Sequence, residues 1–539
     1  MNSQKACLAR WLPSRTRTQV TVVFRWLVSF ACEIVLLTSA ALAYAQENVA
    51  VATTVASQNG QNTKEPQSKP PQTPEPKPQS LNMGGLTISG SLRGRAENWS
   101  WFDSPPGQSD YTFGALLLRL SMSQKREGFD WLIEGLSPWL INLPTQAILS
   151  TPQGQLGLGA TYYAANHNQD GSAIFRQGYV RFKRIFGDSQ SSFRFGRFEF
   201  SDGAEFKPSD STLATLKNDR IQQRLIGPFG FSHVGRGFDG IHFDRTSELN
   251  NFTFLAARPV EGAYQLRSLH ELDADLYYGA FTRQLPSKRA PSEARFFVLH
   301  YHDGRPVLKT DSRPQSVRAA DHKNIRITTF GGHYIAALGS DPAKTDLLFW
   351  GAAQVGTWGV LNHRAGAVGV EAGHKFDTPM QPWLRAGYFR SSGDANPNDA
   401  DHTTFFQILP TPRIYARTPF FNLMNNQDVF GQLLLTPLPK LSFRTDIHWL
   451  RLSNSHDLWY LGGGAYQSET FGYTGRPSNG HADLGTLFDG SFDYLLTRTT
   501  TLTLYGSFVR GGSVEAAIYP QGGVHPNLHF VYLEFLQRF

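Results

Sequence analysis

Apolar and polar residues alternate with period two through much of this chain. In "LTISGSLRGRAE" (86–97), Leu86, Ile88, Gly90, Leu92, Gly94 and Ala96 share one parity, and Thr87, Ser89, Ser91, Arg93, Arg95 and Glu97 share the other. The pattern returns in "LLLRLSMSQ" (116–124), "GYVRFK" (178–183) and "LSFRTDIHW" (441–449). Successive side chains of a strand point to opposite faces, so each stretch has one apolar face and one polar or charged face. A soluble sandwich would turn the charged face to solvent. A membrane barrel would turn the apolar face to lipid and the charged face to an aqueous lumen.

The lengths of the connections separate these two readings. Strand-like runs fall near 85–98, 111–124, 129–139, 173–185, 191–201, 237–245, 250–258, 274–284 and 294–302. A second set falls near 323–338, 345–357, 363–375, 382–392, 427–436, 440–452, 484–495, 499–510 and 527–539. Long connections (140–172, 202–236, 303–322, 393–426, 453–483) alternate with short ones such as "KREG", "FGDSQ", "TPLPK" and "LTRTT". The pattern predicts an all-β fold: an 18-stranded antiparallel transmembrane β-barrel with short periplasmic turns and long extracellular loops. The connection at 358–362 is short where a long one is expected, and 458–468 is assigned to a loop. The chain stops on "NLHFVYLEFLQRF" (527–539), where Val531, Leu533, Phe535 and Phe539 share one parity. A barrel needs its last strand to pair with its first, because an open edge in lipid leaves backbone groups unpaired. Phe535 and Phe539 are therefore expected at the closure, in a terminal signal of the kind the barrel assembly machinery reads.

Composition agrees with strands, since 39 Phe, 19 Tyr and 50 Gly are rich in strand formers and turn formers. Residues 1–45 read as a signal peptide: four arginines precede "EIVLLTSAALAYA", which closes on Ala43-Tyr44-Ala45. The rival reading, a membrane anchor, is weakened by Glu33 and by shortness. Residues 46–83, rich in Pro, Gln, Lys and Glu, read as a disordered periplasmic tether, and the barrel is expected over 84–539. Both cysteines, Cys7 and Cys32, lie in the leader, so a disulfide scaffold is excluded. The leader also removes five cations and one anion, taking the formal +7 to +3. Placement of charge then matters more than its sum, and no nucleic-acid partner is expected.

With the apolar parity toward lipid, Arg93, Arg95, Glu97, Arg119, Glu134, Arg181, Lys183, Arg194, Arg444 and Asp446 point into the lumen. Arg197 and, from "GRGFDG" (235–240), Arg236 and Asp239 are counted with them. At Gly196 the alternation slips, a place for a β-bulge. Guanidiniums in a narrow aqueous pore concentrate anions and bind carboxylates through forked hydrogen bonds. The competing reading is that these charges pair with one another in a filled barrel.

Several segments then resemble the alginate export family: "FRFGRFEFSDGAE" (193–205), "RGFDGIHFDR" (236–245), "GYFRSSGDANPNDADHTTFFQILPT" (387–411) and "DVFGQLLLTPLPKLSFRTDIHWLRLSNSHDLWYLGGG" (428–464). The resemblance implies an 18-stranded outer-membrane barrel exporting an anionic, alginate-like polysaccharide passively through an electropositive lumen, with periplasmic export partners. Phe198 departs from it, standing where a polar residue is expected.

Other signals carry less. "GRGFDG" lacks the βαβ context of a dinucleotide site. Asp394, Asn396, Asn398, Asp399 and Asp401 offer oxygens to calcium, but without the distal Glu of an EF-hand, and an Asx-rich turn is the stronger reading. No cofactor is otherwise expected. His300 and His302 share a strand face without a clear third metal ligand. Trp99, Trp101, Trp131, Trp350 and Trp449 are expected at membrane interfaces. No Ser-His-Asp spacing supports a barrel enzyme. The reading is thus an outer-membrane export channel, the alternative being a porin that takes up oligosaccharides or small anions.

Overall fold

In the computed structural model, residues 80–102 and 109–539 are described. The leader and most of the tether lie outside them. Eighteen strands form the wall: β1 (Leu86–Ser100), β2 (Asp110–Lys125), β3 (Phe129–Ile141), β4 (Ile174–Lys183), β5 (Ser191–Phe198), β6 (Phe238–Thr246), β7 (Asn250–Pro259), β8 (Ala274–Leu285) and β9 (Ser292–Asp303), then β10 (Ile325–Ser340), β11 (Ala343–Trp358), β12 (Leu361–Lys375), β13 (Trp383–Ser391), β14 (Asn426–Leu438), β15 (Leu441–Leu452), β16 (Asp483–Leu495), β17 (Thr500–Gly511) and β18 (Asn527–Arg538). Each lies in one of the stretches marked from alternation. Every strand pairs antiparallel with its sequence neighbours, and β18 pairs with β1 from Ser91↔Arg538 to Ser100↔His529. The sheet is closed.

The seam is finished by the last residue. Phe539 exchanges both backbone hydrogen bonds with Gly90, at 2.7 and 3.0 Å. A Cβ on Gly90 would lie 2.6 Å from the Phe539 ring and from the Arg119 carbonyl oxygen, so only glycine admits this packing. Below it, Leu81–Met83 turns back through Gly84 and Gly85 and pairs with Leu86–Ile88, covering the part of β1 that β18 does not reach. This hairpin begins inside the stretch read as tether.

The outward face carries an apolar belt that includes Leu120, Ile133, Phe182, Phe195, Phe281, Phe296, Phe349, Leu504 and Val531, all exposed. Among the described residues no helix is long and apolar enough to cross a membrane. Crossing falls to the strands, whose backbone groups are satisfied around the closed ladder. One end of the barrel has short turns, such as 126–128, 247–249, 341–342 and 439–440; the other has the connections 142–173, 199–237, 304–324, 392–425 and 453–482. The exception at that end is the β11–β12 turn at Gly359–Val360, which the 304–324 loop covers, Asp321 accepting the Val360 N–H at 3.2 Å. Within the 453–482 loop, Leu458–Gly462 and Tyr473–Pro477 form a separate hairpin.

Two of the long loops enter the barrel and fill it. In the 199–237 loop, Asp210 caps a short helix, α1 (Ser211–Leu216), by accepting the Thr212 and Leu213 N–H groups at 3.0 Å each. The chain continues through a π-turn over Lys217–Ile221. The 392–425 loop joins it by backbone hydrogen bonds: Leu409 N–H to Leu225, Gly227 N–H to Leu409 and Thr411 N–H to Gln223, at 2.8 to 2.9 Å. Large apolar residues of both loops, among them Leu213, Ile221, Phe405, Ile408 and Phe421, pack with inward-facing Leu276, Ile327 and Trp350 in one buried core.

Candidate functional site

Inward parity on β1, and an irregularity in β4, aim three guanidiniums at the tip of the 199–237 loop. Arg93 donates to the carbonyls of Gly230, at 2.8 Å, and Ser232. Arg95 donates to Phe231 O at 3.1 Å, and Arg176 to Pro228 O at 3.2 Å. Wall arginines thus hold the backbone of 228–232 as a roof across the lumen. Beneath it, toward the short-turn end, lies a cavity of about 330 Å³. Its charged lining is Arg93, Arg119, Arg176 and Arg538 with Glu134, Glu199 and Glu534. Arg119 bridges Glu134 at 2.5 Å and Glu199 at 3.0 Å, and Arg95 bridges Glu534 at 2.6 Å and Glu97 at 3.3 Å. Nearer the short-turn mouth, Asp130 binds Lys183 at 2.6 Å and Arg181.

A second tier fixes the body of the loop. The winding of α1 and the π-turn sends Lys217 to Glu293 of β9 at 2.6 Å and Arg220 to Glu371 of β12 at 2.9 Å. Arg224 adds to Glu371 at 3.3 Å, and Arg385 of β13 joins Glu371 and Asp346, each at 3.1 Å. Aromatic faces complete the lining: Arg220 lies 4.4 Å over Phe430, and Arg224 4.6 Å over Tyr415 and 4.9 Å over Trp350. Within the loop, Asp202 accepts the N–H groups of Leu225 and Ile226 at 3.1 and 2.8 Å, and burial pushes its carboxyl up to about 6.

Of the residues chosen from sequence, Arg93, Arg95, Glu97, Arg119, Glu134, Arg181, Lys183, Arg194, Arg444 and Asp446 face inward. Arg444 and Asp446 pair at 2.6 Å, with Arg444 also donating to Tyr415 O of the second loop at 3.2 Å. Arg194 lies 4.1 Å over the Phe198 ring. Phe198 is apolar and inward because the lumen here is packed with loop instead of water. Arg236 lies inside the barrel but is sealed, one guanidinium nitrogen donating to Gly463 O at 2.6 Å while burial holds it down to about 10.

Arg197 and Asp239 are a correction. The β5 register runs without a shift through Gly196, placing Arg197 opposite Gly178 and Asp239 on the same face as exposed Phe195. They bridge each other at 2.6 Å on the outer wall. The irregularity in this region sits instead between β3 and β4, at Glu134/Gly135, and lets Arg176 turn inward. A second correction concerns tryptophans: Trp99, Trp101 and Trp350 are buried inside, Trp99 stacking on Phe530 at 3.8 Å, whereas Trp449 is exposed outside.

The oxygen-rich loop is a chain of Asx turns. Asn396 N–H donates to Asp394, Asn398 N–H to Asn396 and Asp401 N–H to Asp399, at 3.3, 3.2 and 2.9 Å. Burial, with Asp457 nearby, pushes Asp394 up to about 6. Among the described residues, no three His, Cys, Asp or Glu side chains gather as a metal site. His300 and His302 share the outer face, His302 meeting Asp275 at 3.0 Å.

Sequence reasoning missed Arg176, Lys217, Arg220 and Arg224, and their partners Glu293, Glu371 and Arg385. The wall partners Glu293, Glu371 and Arg385 obey the same alternation and were within its reach, whereas Arg176 breaks it at the irregularity between β3 and β4. The loop members carry no period that marks them.

The profile of the alginate export family matches residues 160–519, which span both inward loops and most of the wall. The chain belongs to the alginate export family. No curated protein matches it by sequence. Among solved structures, a BenF-like porin from Pseudomonas fluorescens Pf-5 aligns at 9% identity and TM-score 0.52, covering 85% of this chain and 100% of the porin. OccK2 (OpdF) of Pseudomonas aeruginosa aligns at 9% and 0.49, with 84% and 98% covered. OccAB3 of Acinetobacter baumannii gives 9% and 0.49, with 85% and 100%. This alginate export family member is an outer-membrane channel of bacteria, its short turns periplasmic and its long loops extracellular.

Proposed function

We propose that the channel exports an anionic polysaccharide passively, from the periplasm outward, and that its wall arginines serve as both clasp and track. The observation that carries this is the hold of Arg93, Arg95 and Arg176 on neutral carbonyls of 228–232. A carboxylate is a stronger acceptor for a guanidinium than an amide carbonyl, and it can take the fork in two bonds. A uronate chain arriving from the periplasm reaches the arginine-lined cavity first and competes for those donors, which loosens the roof above it. Onward, Arg220, Arg224, Arg385 and Arg444 offer further cationic positions, each beside an acid that keeps the hold on any one residue short. No step consumes energy within the chain; the gradient of polymer and its synthesis supply the direction.

The test is single-channel recording of the refolded full chain in planar bilayers, with uronate oligomers or neutral glucans of equal length added on the short-turn side. Uronates are expected to modulate the current and neutral glucans to leave it unchanged. Equal effects of both, or none from either, would remove the polysaccharide reading and favour uptake of small solutes.

A further inference from the structure

The outer wall carries a second set of arginines that the conduit does not use. At the extracellular end, Arg390 of β13, Gln427 of β14 and Arg451 of β15 are direct cross-strand partners and form one row. Two residues below, Tyr388, Val429 and Trp449 form a parallel row in the same register, 39%, 48% and 49% exposed. All six lie on the outward parity. Aromatic residues on the outer face of a barrel mark the boundary between hydrocarbon and headgroups. The arginine row therefore stands at headgroup height, directly over the acyl region.

Both arginines are exposed and, among the described residues, neither makes an ion pair. Asp483, the cross-strand partner of Arg451, forms no bridge with it. This contrasts with lumenal cations such as Arg95, Arg119, Lys217, Arg220 and Arg444, each matched by an acid. The row is flanked by more of its kind: exposed Arg510 follows exposed Phe508 on β17, and exposed Arg326 and Arg364 lie within four residues of the extracellular ends of β10 and β12. Strands about 4.8 Å apart put the Arg390 and Arg451 backbones roughly 10 Å from each other, with the Gln427 amide between them. Two long forked donors converging from that distance suit a phosphate, which guanidinium binds in two parallel hydrogen bonds.

We infer that this face binds a phosphorylated glycolipid of the outer leaflet, its phosphate held by Arg390, Gln427 and Arg451 and its acyl chains lying on Tyr388, Val429 and Trp449. The occupant is a lipid and not a free anion because the two rows are contiguous: the same register that aligns the cations aligns an exposed apolar strip beneath them. The site is independent of the polysaccharide path, which lies on the other side of the wall.

The experiment is native mass spectrometry of the full refolded chain in detergent, titrated with bisphosphorylated lipid A, dephosphorylated lipid A, phosphatidylglycerol and inorganic phosphate. The wild type is expected to retain bisphosphorylated lipid A in preference to the other three. Each arginine near an anionic headgroup is worth roughly fivefold in binding, so the double variant Arg390→Gln/Arg451→Gln is expected to weaken it by roughly twenty-five-fold. Heat-modified gel migration checks that the variant is folded; the dephosphorylated lipid tests the same contact without any substitution. Equal retention of lipid A with and without its phosphates, or by the folded double variant and the wild type, would overturn the inference. Preferential binding of inorganic phosphate alone would also overturn it, leaving an anion site without a lipid.

Discussion

Glu371 is the side chain on which three interior arginines, Arg220, Arg224 and Arg385, converge. Removing one partner of a buried ion pair leaves an uncompensated charge, at a cost of about 3–5 kcal/mol. Glu371→Gln is therefore expected to lower the unfolding free energy of the barrel, read from urea denaturation, by an amount of that order and to release the loop from β12. Asp202 gives a signature in pH. Its folded value, about 6, lies above its ordinary 3.8, so the folded loop binds a proton more readily than the unfolded loop. Its part of the loop is then most stable below about pH 4, loses stability as pH rises to about 6, and is level above that. Hydrogen-exchange protection over 221–228, taken relative to the intrinsic rate at each pH, is expected to fall across that window in the wild type. In Asp202→Asn, which keeps the accepting oxygen, the dependence should vanish.

At the scale of elements, the seam between β18 and β1 is the most exacting contact. Gly90→Val would set a branched side chain where even a Cβ lies 2.6 Å from the Phe539 ring and the Arg119 carbonyl. Overpacking of this kind costs about 1–3 kcal/mol, so the variant should lose its heat-modified migration at lower temperature than the wild type. The strands themselves were legible because lipid on one side and a polar interior on the other impose period two. The same rule found Arg93, Arg95, Arg119 and Arg444 on the inner wall. It misjudged Arg197, because the alternation reads as slipping at Gly196, where the register runs on unbroken. Phe198, inward on the same strand, is apolar because loop and not water faces it. Trp99, Trp101 and Trp350 were misread for the same cause: alternation reports which face a residue takes, and is silent about what fills the space on that face. The loops that fill it, with Lys217, Arg220 and Arg224, carry no period and could be placed only by the contacts they make.

At the scale of the whole molecule, the barrel is a closed wall with an interior rich in ion pairs and, on its extracellular rim, an arginine row without ion pairs among the described residues. Within it, wall guanidiniums hydrogen-bond to a loop backbone, and under the proposed function these are the groups an anionic polymer would seek. Closure and selectivity should thus be coupled through the same residues. Arg93 separates this account from one in which the inward arginines only stabilise a filled barrel. The measurement is the reversal potential and conductance in a KCl gradient across planar bilayers, for the full chain and for Arg93→Gln. Anion selectivity is expected in the full chain, and in the variant a larger conductance with a reversal potential moved toward zero. Cation selectivity in the full chain, or a variant unchanged in both quantities, would contradict it.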